Sequence, residues 1–376
     1  MSRFPDVSRA GAAVPASIFA RLREHLAKFP GDVIPLQIGD THLPPPAHLH
    51  DIAWTELPVT DLYAYGAPNG WAPLVSVLAA KAARQNRIPA TEANIQVTVG
   101  ATHALTCAVQ GLCDPGDELL MLTPHWPLIR GHALAVNVVP VEVPFGGDYE
   151  AAITERTAAI YFATPNNPDG TMLSEAELQR IVALAERRGL WILADEVYED
   201  YGYDAEHVSI ASLPGAAERT VTVYSFAKSY AQAGLRVGYA VAAERIAATM
   251  RKLLNHNVYN VPVAMQRAAY GAIANGGEFL ANARAIYRTA RDRARALLRA
   301  SAACPPGGAY LWVDLRAWGD DCMPVLERIA AKGVLLAPGS AFGAACTGFA
   351  RLCFTGVDLA RLEEGIARIN TALEAT

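Results

Sequence analysis

The sequence predicts an α/β fold, with a three-layer large domain on a mainly parallel sheet and a smaller α+β domain beside it. Two patterns carry the prediction. Between about residues 95 and 240, short apolar runs alternate with helical stretches, and strands buried on both faces between helices are what a parallel sheet requires. After about residue 275 that alternation stops, and a long Arg- and Ala-rich helical segment leads into short strand-like runs and a last helix. The chain has 376 residues, 52% of them hydrophobic and 18% charged, enough for one large core and one smaller one. The expected division is a large domain over 45–275, with 1–44 and 276–376 together forming the small domain.

The strand candidates are 95–99, 118–122, 136–141, 158–163, 190–194, 221–224 and 237–241. Helical patterns lie between them, among them 104–111 and 174–188. The second opens with Ser174 and carries Glu177 three residues on, the signature of a capping box. Beyond it a helix over 278–302 meets a break at Pro305-Pro306-Gly307-Gly308. Strand-like 310–315, a helix over 324–332, strand-like 334–336 and a helix from Asp358 complete the small domain. Near the N-terminus Ile18, Phe19, Leu22 and Leu26 share one side of an amphipathic helix.

A formal net charge of -5 gives no electrostatic case for nucleic acid or an anionic membrane as partner. No apolar run is long enough to span a bilayer, and the first thirty residues lack the pattern of a secretion signal. The cysteines (107, 113, 304, 322, 346 and 353) form no C-x-x-C pair and sit mostly among apolar residues. Reduced thiols in a cytoplasmic protein are expected, with neither a disulfide framework nor a metal site.

In open parallel sheets the ligand lies beyond the carboxyl ends of the strands, so the residues just after each strand matter most. Tyr224-Ser225-Phe226-Ala227-Lys228 is followed by Gly234, Arg236 and Gly238-Tyr239. The amine of Lys228 can form an imine with an aldehyde, while the Ser225 hydroxyl and Arg236 can hold an anion. Leu193-Ala194-Asp195-Glu196-Val197-Tyr198 ends another strand. A carboxylate there is costly to bury unless it meets a cation, and a protonated pyridine nitrogen is such a partner. In Thr164-Pro165-Asn166-Asn167-Pro168-Asp169-Gly170, at a third strand end, an Asn amide can donate a hydrogen bond. Val99-Gly100-Ala101-Thr102 opens a helix whose first N–H groups and Thr102 hydroxyl can seat a phosphate. Trp126, after Pro124-His125, offers a flat indole for stacking. Arg351, within the apolar run Phe349-Ala350-Arg351-Leu352-Cys353-Phe354, needs a carboxylate from protein or substrate.

With these motifs in this order, the chain resembles the class I/II aminotransferases of the fold-type I pyridoxal-phosphate family (aspartate aminotransferase-like). The resemblance runs from Ile34-Pro35-Leu36-Gln37-Ile38-Gly39-Asp40 to the Arg351 segment. It implies pyridoxal 5'-phosphate as cofactor, joined to Lys228, which then serves as the proton carrier. It implies Asp195 on the pyridine nitrogen and Asn167 and Tyr198 on the phenolic oxygen. Ala101, Thr102, Ser225 and Arg236 are implied at the phosphate, and Trp126 against the ring. Tyr65, in Tyr65-Gly66-Ala67-Pro68-Asn69-Gly70, matches a tyrosine that reaches the neighbouring subunit's phosphate, implying a homodimer with shared sites. Arg351 is the implied clamp on the substrate α-carboxylate, with Gly39 and Asn167 lining that pocket. The implied activity moves an α-amino group from an amino acid to a 2-oxo acid in ping-pong fashion.

Three places depart from the usual pattern. Gly39-Asp40-Thr41-His42-Leu43-Pro44-Pro45-Pro46 replaces an acidic-Pro-Asp-Phe run, Asp169 stands where Thr is common, and Val75 stands where a Leu-Arg pair usually continues. The first lies beside the expected substrate pocket and leaves the substrate class open. His42, His103, Tyr259 and Asn260 are candidates for that pocket, each also readable as structural. Two other functions stay open on the same residues. One is elimination, cyclisation or oxidation of an amino acid with the same cofactor. The other is a non-catalytic amino-acid sensor, which the combination of Lys228, Asp195 and Arg351 disfavours.

Overall fold

The structure is a computed structural model that describes residues 6–16, 22, 29–47 and 63–374. Of the expected N-terminal apolar side, Leu22 is buried, while Ile18, Phe19 and Leu26 lie outside the described residues.

A seven-stranded sheet organises the larger part. Its spatial order is Ile95–Thr98, Gly238–Ala242, Thr220–Ser225, Trp191–Asp195, Thr157–Ala163, Glu118–Thr123 and Val139–Pro144. From Thr220–Ser225 to Val139–Pro144 every pairing is parallel. Gly238–Ala242 runs antiparallel to both of its neighbours. The parallel strands are nearly continuous apolar runs because both faces are covered. Met121, Tyr161, Leu193 and Val223 point into one core, and Leu120, Leu122, Phe162 and Ile192 into the other. That period-two alternation between two buried faces makes the three layers.

The geometry brings the motifs to one edge. The carboxyl ends Thr98, Thr123, Ala163, Asp195 and Ser225 lie there, and the reversed strand starts there, with Gly238 paired to both Ser225 and Thr98. Arg236, just before that strand, is therefore carried to the same edge.

Local chemistry sets the element ends. Ser174 caps Glu175–Arg188 by accepting from the Glu177 amide, and Glu177 accepts in return from the Ser174 amide at 2.8 Å. Gly189 ends that helix in the left-handed region at φ 70°. The strand expected from residue 136 starts instead at Val139. Asn137, at φ 62°, completes the turn out of helix Pro127–Ala135, so the first apolar residues of that run belong to the turn. Likewise the helix expected to run to residue 302 stops at Leu297, and Ser301–Ala302 becomes an edge strand.

The smaller body is a four-stranded antiparallel sheet, Ala337–Pro338, Phe349–Cys353, Tyr310–Asp314 and Ser301–Ala302. Helices Gly277–Leu297 and Leu359–Glu374 pack together beside it. Ile34–Pro35 pairs in parallel with Val334–Leu335, which ties the N-terminal segment to this body. Its core also takes in Tyr198, Tyr201 and Tyr203 from beyond the Trp191–Asp195 strand, so the two bodies share aromatic packing beside the site. No helix among the described residues is long and apolar enough to cross a membrane.

Candidate active site

A cavity at the common strand edge is lined by Ala101, Thr102, Trp126, Asn167, Asp195, Tyr198, Ser225, Lys228 and Arg236, together with Ala163, Val197 and other small or apolar residues. At its floor, Asp195 ends its strand and is almost fully buried. Tyr161 donates to its Oδ2 at 3.1 Å, and the Val197 amide approaches Oδ1 at 3.4 Å. Burial pushes this carboxyl up to about 6, against the lowering effect of the Tyr161 hydrogen bond. It is a buried acid short of a positive partner.

Lys228 sits on the single helical turn Phe226–Ser229. Its Nζ donates to the Gly39 carbonyl, and the Tyr201 hydroxyl holds its backbone carbonyl at 2.5 Å. Burial, assisted by Arg351 and Arg236, pulls the amine below its usual range, which favours the neutral nucleophilic form.

Opposite, helix Gly100–Leu112 aims its first N–H groups into the cavity. Gly100 has φ 70°, and a Cβ there would overlap the Arg236 guanidinium. Arg236, itself at φ 54°, bonds the Ala233 carbonyl at 3.0 Å. Ser225 accepts from the Ala227 amide at 3.1 Å. A helix N-terminus, two hydroxyl side chains and a guanidinium thus converge on one end of the cavity, a donor set suited to phosphate.

Arg351 arrives from the small body on strand Phe349–Cys353 and is nearly buried. Its Nη1 donates to Asn167 Oδ1 at 2.7 Å and its Nη2 to the Gln37 carbonyl at 2.6 Å. The guanidinium lies 4.2 Å from the Tyr310 ring centre and 5.0 Å from that of Phe342. Tyr198 shares a 2.5 Å hydroxyl contact with Tyr310, and a Cβ on Gly39 would overlap that same Tyr310 hydroxyl. With no carboxylate among those contacts, the arginine is poised for an anion. A second chamber opens beside it, lined by Arg351, Trp126, Leu128, Phe342 and Val14–Ala16 among others.

Tyr65 takes no part in lining the cavity. It is 81% exposed and packs on Tyr259, ring centres 4.5 Å apart. His42 bonds the Thr355 carbonyl at 3.0 Å and meets the edge of Tyr287, a structural placement. Asn260 bonds the Val261 carbonyl at 2.8 Å. Asp169 closes its turn by accepting from Asn166 at 2.8 Å and the Thr171 amide at 3.1 Å. Sequence reasoning missed Tyr161, Tyr201, Tyr310 and the Gln37 carbonyl. Nothing local marks them, since each acts on a residue remote in sequence.

Residues 32–369 match the model of the family described as aminotransferase class I and II. This chain belongs to that family. The probable aspartate/prephenate aminotransferase of Aquifex aeolicus is 34% identical over 330 residues, covering 82% of this chain and 83% of the relative. The arginine–pyruvate transaminase of Pseudomonas aeruginosa is 32% identical, covering 85% of each. A double mutant of Thermus thermophilus aspartate aminotransferase superposes with a TM-score of 0.92 at 28% identity, covering 98% of this chain and all of that one. The chain is therefore an aminotransferase with the α/β architecture of the fold-type I enzymes. Its relatives' names differ in substrate.

The residues present fit the cofactor the family implies, pyridoxal 5'-phosphate. Asp195, buried with no cation beside it, is where a pyridinium nitrogen belongs. The Gly100 cradle and Arg236 are where a phosphate belongs, and Lys228, its amine lowered by burial, is where an aldehyde would be met.

Proposed function

We propose that this aminotransferase holds pyridoxal 5'-phosphate in the cavity between Asp195 and the Gly100–Arg236 cradle. There it moves the α-amino group of an amino acid to a 2-oxo acid, donor and acceptor using the site in turn. The buried carboxyl of Asp195, which has the Tyr161 hydroxyl and the Val197 amide as donors but no cation beside it, is the observation that carries the reading, because a cation at that spot would offset the burial those donors leave uncompensated. The cofactor supplies an aldehyde to condense with amines and a protonated ring that accepts electron density from Cα.

The chain's own residues do the rest. Ala101, Thr102, Ser225 and Arg236 fix the phosphate end, and the indole of Trp126 covers one wall. Because Arg351 occupies the Asn167 Oδ1, the amide turns its NH2 end to donate; with Tyr198 it is suited to the phenolic oxygen. Lys228, whose amine burial makes easier to deprotonate, accepts the proton from Cα and delivers it elsewhere. Arg351 takes the substrate α-carboxylate, a bidentate interaction that orients Cα toward Lys228.

The exposed Tyr65 is available to a second copy of the chain, which supports a homodimer with shared sites. Six free cysteines support a cytoplasmic location. The test is spectroscopic. Protein purified with the cofactor should lose its absorbance band on addition of the right amino acid and recover it with a 2-oxo acid. A band that never forms would refute the cofactor. A band that forms but releases ammonia instead of passing the amino group on would refute the transfer.

A further inference from the structure

Tyr161 lies on strand Thr157–Ala163, next to the strand that ends in Asp195. In the register between them Tyr161 is opposite Leu193 and Ala163 opposite Asp195, so the phenol reaches along the strand and its hydroxyl donates to Asp195 Oδ2 at 3.1 Å. Tyr161 is fully buried within the core on that face of the sheet. We propose that Tyr161 is a positioning residue for the cofactor: its hydroxyl anchors one oxygen of Asp195 and holds the carboxylate, as an anion, toward the ring nitrogen.

The inference rests on the cofactor reading above, and its physical basis is simple. A carboxylate at the end of a strand can rotate about χ2, and its second contact, the Val197 amide, is long at 3.4 Å. The Tyr161 donor on Oδ2 restricts that rotation while Asp195 lines the cavity. Burial raises the phenol's own pKa well above its usual range, so the hydroxyl stays a donor throughout the working pH range. A donor of this kind favours the ionised acid. The other charged or titratable groups facing Asp195 are Glu196 on its own strand end, which opposes ionisation, and Tyr198, Lys228 and Arg236 across the cavity.

The experiment measures cofactor affinity against pH for the wild type, Tyr161→Phe, Asp195→Asn and the double variant. Phe keeps the buried ring and removes only the hydroxyl, and thermal melting confirms that each variant folds. In the wild type the affinity falls on the acid side as Asp195 takes up a proton. For Tyr161→Phe the midpoint of that fall should move up by about half a pH unit or more, weakening binding about threefold or more near that midpoint. In the Asp195→Asn background the same substitution should change nothing, since coupled residues are non-additive. Tyr161→Leu, which also removes the ring, separates packing from hydrogen bonding by lowering the melting temperature. Superimposable profiles for the wild type and Tyr161→Phe would overturn the proposal. So would an equal change in both backgrounds, which would mark the tyrosine as packing only. A wild type that binds no cofactor would instead overturn the reading on which the proposal stands.

Discussion

Asp195 illustrates how a side chain can be poorly placed for the empty fold and well placed for its work. Its carboxyl titrates near 6 in the folded chain against 3.8 when unperturbed, chiefly because it is buried. The folded state therefore binds the extra proton between those values, and stability falls as pH rises from about 4 to 6. Above that window the full penalty, about 3 kcal/mol, is present. Cofactor-free Asp195→Asn should accordingly unfold at higher denaturant than the cofactor-free wild type at pH 8. The gap should shrink as pH drops through 6, and an Asn variant no more stable at pH 8 would count against a strained charge. Lys228→Ala should abolish turnover, because no other amine lines the cavity among the described residues. Arg351→Lys loses the two-pronged fit to a carboxylate and should raise KM about tenfold or more with a smaller change in kcat, checked with steady-state kinetics on any responding amino acid. Lys228, Asp195 and Arg351 were legible in the sequence because their residue types are chemically expensive where they stand. Tyr161 and Tyr310 were not: an aromatic in an apolar strand looks like core until the neighbouring strand is seen to place a carboxylate or a guanidinium against it.

At the scale of elements, the site depends on where strands end and helices begin, and two glycines separate the contributions. Gly100 and Gly189 have the same φ of 70°, so a side chain strains the backbone at either, at a cost of about 1 kcal/mol or more. Nothing lies within 4 Å of a Cβ on Gly189, whereas on Gly100 it would overlap the Arg236 guanidinium. Gly189→Ala should thus lower the melting temperature and leave cofactor affinity intact. Gly100→Ala should weaken the cofactor as well, by displacing the group proposed to hold its phosphate, and equilibrium titration of the two variants distinguishes them. The Ser174–Glu177 cap was readable from spacing alone because both partners lie within one turn. The start of the strand at Val139 was not, because it depends on Asn137 adopting a left-handed conformation that an apolar sequence run does not reveal. Nor could spacing disclose that Gly238–Ala242 runs against its neighbours, although that reversal is what delivers Arg236 to the working edge.

Over the whole molecule, Lys228 and Asp195 come from the large sheet while Arg351 comes from the small one, and Gln37 and Gly39 bridge them by holding Arg351 and Lys228 through backbone carbonyls. The two-body plan was legible because helix-strand alternation breaks near residue 275, but the contact between bodies was not, since Tyr198, Tyr201 and Tyr203 follow a strand of one and pack into the core of the other. Tyr65 poses the remaining question of scale. It stands 81% exposed against Tyr259, outside its own cavity, and the proposal is that it completes the cavity of a partner. Such sharing has a consequence that a monomeric site does not. Tyr65→Ala chains keep Lys228 but lack the donated hydroxyl, and Lys228→Ala chains keep Tyr65 but lack the nucleophile. When the two are unfolded together and reassembled, each mixed dimer contains one site with both residues intact, formed by Lys228 of one chain and Tyr65 of the other. Random reassembly makes half the dimers mixed, so cofactor affinity in about a quarter of all sites should return to the wild-type value. Titration of the mixture should then resolve a tight class of sites absent from either variant alone. A mixture that binds as the simple average of its parents would mean that Tyr65 serves no neighbouring site.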